Sequence, residues 1–146
     1  MLRRAHIVSL AILASGVCSA ADVYHGVAVD DPIAVESYLR SRLMFWKAQL
    51  QLDDWSVALQ LSQASDLRPG TLGSIHWDPQ KKTAVIRALD TPRRVSEMEC
   101  TIVHELVHLE LASLPRTDES RGVEEGVVNR LATALLRSEY PDWVVQ

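Results

Sequence analysis

Val35, Leu39, Leu43, Trp46 and Leu50 recur at intervals of four, four, three and four, which is one face of a helix. Asp31-Pro32 supplies its start, with Asp as N-cap and Pro in the first turn, and Asp53-Asp54 its end. Trp55, Val57, Leu59 and Leu61 then alternate with Ser56, Ala58 and Gln60, the pattern of a half-buried strand. Arg68-Pro69-Gly70 marks a turn, Thr71 to Trp77 a second strand, and Thr83 to Leu89 a third. The short polar loop Asp78-Pro79-Gln80-Lys81-Lys82 predicts that strands two and three form a hairpin. After Thr91-Pro92, Ser96-Glu97-Met98-Glu99 fits a capping box and starts a helix that runs through Leu114 and stops at Pro115. Residues 116–120 are polar, and a last helix spans about Glu119 to Ser138, ended by Tyr140-Pro141. The order is helix, three strands, helix, helix, without repeat or linker, which predicts one α+β domain.

The N-terminus follows a different pattern. Arg3 and Arg4 precede an uncharged apolar stretch, Ile7 to Val17, and small residues follow at Ser19, Ala20 and Ala21. This is the layout of a secretory signal peptide over residues 1–20, leaving a domain over residues 21–146 and an exported, periplasmic or secreted protein. The stretch is shorter than the ~20 residues a spanning helix needs, so no membrane contact is expected after cleavage. A start codon placed too early would instead leave the protein cytoplasmic, and Cys18 is a second possibility as a lipid attachment point. Removing residues 1–20 leaves Cys100 alone, so stability must come from the core and from a metal rather than a disulfide. The 146 residues carry a net charge of −4, with no basic surplus for a phosphate backbone, so nucleic acid is not the expected partner.

The chemistry lies in His104-Glu105-Leu106-Val107-His108. Two histidines at i and i+4 share one face of a helix and can reach one ion, while Glu105 is turned away from that plane and can reach a water beside it. Ile102, Val103, Leu106, Val107, Leu109 and Leu111 wrap this helix in apolar residues, so a buried histidine pair needs a partner that Zn²⁺ supplies. A catalytic zinc needs a third protein ligand and an open fourth position. No histidine follows His108, and position 114, where an extended metzincin pattern needs one, is Leu114. The third ligand must then be a carboxylate among Asp118, Glu119, Glu124, Glu125, Glu139 and Asp142, of which only Glu124 and Glu125 lie well inside the last helix.

His104-Glu105-x-x-His108 followed by a helix with a metal-binding Glu resembles the gluzincin metallopeptidases. Val123-Glu124-Glu125-Gly126-Val127 is similar to the Glu-Gly step of aminopeptidase-type gluzincins, and Glu125-x-x-x-Asn129 to the Glu-x-x-x-Asp of thermolysin-like enzymes. Asn129-Arg130-Leu131-Ala132 is similar to a stretch of the small single-domain peptidases of the ImmA/IrrE type. The resemblance covers roughly residues 100–136 and implies a minimal zincin-like fold, one zinc ion and Glu125 as third ligand. The chain departs from thermolysin in having Asn129 where an Asp would orient a ligand histidine, and from large gluzincins in having no room for a second domain. The helical wheel points elsewhere: Val123, Val127, Val128, Leu131 and Leu135 centre the apolar stripe on Glu124, whose unpaired burial would be costly. Glu125 is the expected ligand and Glu124 the alternative.

The expected activity is zinc-dependent hydrolysis of a peptide bond in a peptide or protein substrate, with Glu105 as general base. Leu72 to Trp77 offers a strand edge to an extended substrate. The alternative is a non-catalytic, zinc-stabilised binding module on the same fold. Other residues carry weaker signals: Cys100 shares the face of His104, His76 lies on the second strand, Tyr140 is an oxyanion donor by type, Glu110 belongs to solvent, and Trp46, Trp55 and Trp77 belong to the core.

Overall fold

The computed structural model describes residues 18–19, 30–91, 95–141 and 144–145. The expected signal peptide lies outside them except for Cys18–Ser19, and so does Asp142. In chain order the elements are β1 (Cys18–Ser19), α1 (Pro32–Gln49), β2 (Ser56–Ser62), β3 (Gly73–Asp78), β4 (Thr83–Leu89), α2 (Val95–Glu110), α3 (Asp118–Glu139) and β5 (Val144–Val145). The two short terminal strands β1 and β5 pair antiparallel. The architecture is α+β, as the apolar pattern predicts: a helix, a three-stranded mixed sheet, then two helices.

Asp31 caps α1 as expected, its Oδ1 accepting from the backbone N–H of Ile33 and Ala34 at 2.9 and 3.3 Å. The helix stops at Gln49, four residues before the expected Asp53, because Gln51 takes a positive φ of 55° and turns the chain out of the helix. Val35, Leu39, Leu43 and Trp46 are buried on the face the periodicity marked.

The sheet order is β2-β4-β3. β3 and β4 form the expected antiparallel hairpin, with Ile75 opposite Ile86, and β2 joins β4 in parallel. The hairpin loop is held by Asp78, whose Oδ1 accepts from the N–H of Gln80 and Lys81 at 2.9 and 3.2 Å. β3 therefore lies at an edge of this sheet.

α2 is the central element. Residues from Met98 through Leu109, except Cys100, are buried, and the helix packs against α1, α3, β3 and β4. Its N-terminus differs from expectation. Ser96 is already inside the helix, and Glu99 does not cap it. The Glu99 carboxylate is fully buried and accepts from Trp46 Nε1 at 2.7 Å, Arg42 Nε at 2.8 Å, Tyr38 Oη at 3.1 Å and Tyr140 Oη at 3.0 Å. Four donor side chains converging on one buried carboxylate outweigh a local cap. The helix also ends at Glu110, with Leu111–Ser113 forming one 3-10 turn before Pro115.

α3 starts at Thr117, whose hydroxyl accepts from Ser120 N at 3.1 Å while Ser120 Oγ accepts from Thr117 N. Its buried residues are Val128, Ala132 and Leu136, which share a face with Glu125. Val123 and Leu131 are exposed. The wheel centred on Glu124 is thus overturned. The apolar residues of α3 spread wider than its buried strip, which runs through Val128, Ala132 and Leu136 on the Glu125 side.

Candidate metal centre

His104 and His108 sit one turn apart on α2, inside the most buried helix of the domain, and Glu125 reaches them from α3. The two Nε2 atoms are 3.0 Å apart. One oxygen of Glu125 is 3.2 Å from His108 Nε2 and the other 3.5 Å from His104 Nε2. The ligand atoms of the three side chains all lie within 4.8 Å of one another, with each Glu125 oxygen next to a different ring nitrogen. These three side chains form a group that can hold a metal ion. Both imidazoles are buried, whereas the Glu125 carboxylate keeps a quarter of its surface exposed, so the group opens to solvent on the α3 side.

The electrostatics suit cation binding. Burial pushes the His104 imidazolium below its ordinary range, against the opposing pull of Glu125 and Asn129, which favours the neutral, lone-pair-bearing ring. Burial pushes Glu125 up, but hydrogen bonds from His104 and His108 and their charges outweigh it and hold the carboxyl down at about 2.

Glu105 faces the sheet side of α2. It is 0 % exposed, and neither carboxylate oxygen has a hydrogen-bond partner among the described residues. Burial and then the Glu125 charge push its carboxyl well above the usual range. An orphaned buried carboxylate has no structural use, because burying it without a partner costs free energy. It fits a site in which a proton or a water arrives as partner.

The close fit of β3 against this residue depends on Gly73. A Cβ there would lie 2.4 Å from Thr101 Cγ2, 2.8 Å from the Arg87 carbonyl oxygen and 3.4 Å from Glu105 Oε1. Only a residue without a side chain lets the strand lie this near.

Glu124 is not the unpaired carboxylate that the wheel suggested. It is displaced from the three-donor group and lies against the other ring nitrogen of His108, with Oε1 3.0 Å from Nδ1. Arg116 grips it with Nε and Nη2 at 3.0 and 2.6 Å.

The remaining candidates separate cleanly. Asp118 and Glu119 are exposed, and Glu139 pairs with Arg42 at 2.9 Å. Tyr140 belongs to the Glu99 network and not to the histidine site. Cys100 is half-buried and packed against the core. His76 follows the buried Ile75 and so projects from the opposite sheet face, away from α2. Glu110 is exposed, Trp46 and Trp55 are core, and Trp77 is half-buried under the Arg116 guanidinium, 4.6 Å from its ring centroid. Sequence reasoning missed Arg116, Gly73 and Glu99. Arg116 sits in a loop without periodicity, Gly73 is one glycine in a strand, and Glu99 was hidden by a local capping pattern.

Set against known family models, curated proteins and solved structures, the chain has no significant match.

Proposed function

We propose that this chain is a zinc metallopeptidase in which His104, His108 and Glu125 hold one zinc ion and Glu105 is the general base. The observation that carries the reading is the convergence of two imidazoles and a carboxylate within 4.8 Å of one another, beside a fully buried carboxylate with no partner among the described residues. The donor chemistry, two imidazoles and one carboxylate, is that of catalytic rather than purely structural zinc sites. When bound, the ion supplies a Lewis acid that polarises a carbonyl and makes water acidic enough to deprotonate near neutral pH.

The residues of the chain do the rest. His104 and His108 present Nε2 from adjacent turns of one rigid helix, so their separation is set by the helical repeat. Glu125 closes the third corner from α3. In its ionised form Glu105 takes a proton from the attacking water at one Oε and returns it to the leaving amine, and burial raises its affinity for that proton. A peptide substrate fits the arrangement because β3 is an edge strand whose first residue, Gly73, stands against Glu105. Main-chain pairing along that edge would carry a scissile bond toward the base. On the same reading the protein is exported after cleavage near Ala20, and mass spectrometry of its native N-terminus should find Ala21 or Asp22 first.

The test is metal analysis joined to a peptide-library cleavage assay. The expected result is one zinc per chain, cleavage abolished by chelation, and cleavage restored by Zn²⁺. A zinc-loaded chain that leaves every peptide intact would establish the non-catalytic binding module instead.

A further inference from the structure

Glu124 and Glu125 are adjacent on α3, so their side chains leave the helix about 100° apart. Glu125 faces the two Nε2 atoms, and Glu124 faces the back of the same site. Its Oε1 is 3.0 Å from His108 Nδ1, the ring nitrogen turned away from His104 and Glu125. Both oxygens of Glu124 are taken by Arg116, through Nη2 to Oε1 at 2.6 Å and Nε to Oε2 at 3.0 Å. Arg116 Nη2 also lies 3.3 Å from the His108 carbonyl oxygen. The guanidinium is covered by the Trp77 ring, and both charged side chains are about seven-eighths buried. One arginine thus ties together the backbone of His108 and the carboxylate that touches its ring.

An ionised carboxylate only accepts hydrogen bonds. Against it, His108 must carry a proton on Nδ1 and donate it, and in the neutral ring that binds a metal this leaves the Nε2 lone pair for the centre. We propose that Glu124 is a positioning residue anchored by Arg116: it fixes the tautomer and ring plane of His108 and so raises the metal affinity of the centre. This inference rests on the reading of His104, His108 and Glu125 as a zinc site. The same hydrogen bond makes the imidazole a better donor, and partners of this kind are worth roughly 10–100-fold in metal affinity.

Two measurements on the full-length chain test it. The first is NMR of the His108 ring nitrogens in the wild type, metal-free and zinc-loaded. Nδ1 should be protonated in both states, and an unprotonated Nδ1 overturns the proposal even if no variant folds. The second is competitive zinc titration of Glu124→Ala and Glu124→Gln, with far-UV circular dichroism confirming the fold. Glu124→Ala should bind zinc about 10–100-fold more weakly, and Glu124→Gln, whose amide oxygen still accepts from Nδ1–H, should recover part of that loss. Wild-type affinity in Glu124→Ala, or equal losses in the two variants, would overturn it. A wild type that takes up no zinc would defeat the metal reading separately, with the protonation of Nδ1 still deciding this one.

Discussion

Glu105 offers the sharpest test of the site's economy at the level of single residues. Its folded-state pKa is raised, by burial first and then by the Glu125 charge, so as pH rises through the ordinary carboxylate range the unfolded chain releases a proton that the folded, metal-free chain holds longer. Stability of the metal-free chain must therefore fall as pH rises above the ordinary carboxylate value near 4.5. Glu105→Gln removes that cost. Thermal unfolding should show the metal-free variant several degrees more stable than wild type at pH 7 and equal to it at pH 4; equal midpoints at pH 7 would show that Glu105 is not strained by its burial. The zinc-loaded variant should keep its metal while peptide cleavage drops by about 10²-fold or more. Glu105 and the histidine pair were legible in the sequence because helical spacing alone places them. The choice between Glu124 and Glu125 was not, since a wheel counts apolar residues without knowing which of them meet a neighbour. Here Val123 and Leu131 look outward, and Ala132 is buried instead.

Among the elements, α2 is positioned from both flanks, and each flank makes a prediction. On the sheet side, Gly73→Ala drives a methyl group into Thr101 and the Arg87 carbonyl, and overpacking of this kind costs about 1–3 kcal/mol. Urea denaturation should show that loss, and adding Thr101→Ser, which deletes Cγ2, should restore part of it. A fully stable Gly73→Ala would mean that β3 has room beside Glu105. On the α1 side, Glu99 collects Trp46, Arg42, Tyr38 and Tyr140, and so joins α1, α2 and the C-terminal end of α3. Burial above all pushes both tyrosine hydroxyls up, Tyr140 to about 12, so both remain protonated. Glu99→Ala would strip the buried Trp46 Nε1 of its acceptor and leave Arg42 paired with Glu139 alone, and should cost at least about 1–3 kcal/mol by the same denaturation measurement. The sequence hid this residue because Ser96-x-x-Glu99 satisfies a local rule, and a local rule cannot see donors that arrive from more than forty residues away. The hairpin and the first helix were legible for the converse reason: their signals, Asp78 and Asp31, act within three residues of themselves.

For the whole molecule, two helices and a sheet meet around α2, and the candidate centre joins that helix to α3 through charged and polar groups as well as through apolar contact. A bound ion adds its binding free energy to that junction, so chelation should lower the thermal midpoint and added Zn²⁺ should restore it. The order of elements and their α+β class followed from periodicity, because each has a distinct apolar period. The parallel pairing of β2 with β4 did not, since register across a connection of twenty residues leaves no mark in either strand. The central claim is that His104, His108 and Glu125 are the ligands of one zinc ion. The most direct measurement is anomalous diffraction at the zinc absorption edge from crystals of the zinc-loaded chain. The account predicts one peak about 2.0–2.2 Å from His104 Nε2, His108 Nε2 and a Glu125 oxygen; a zinc-loaded chain with no peak there, or with Glu124 in place of Glu125, would contradict it.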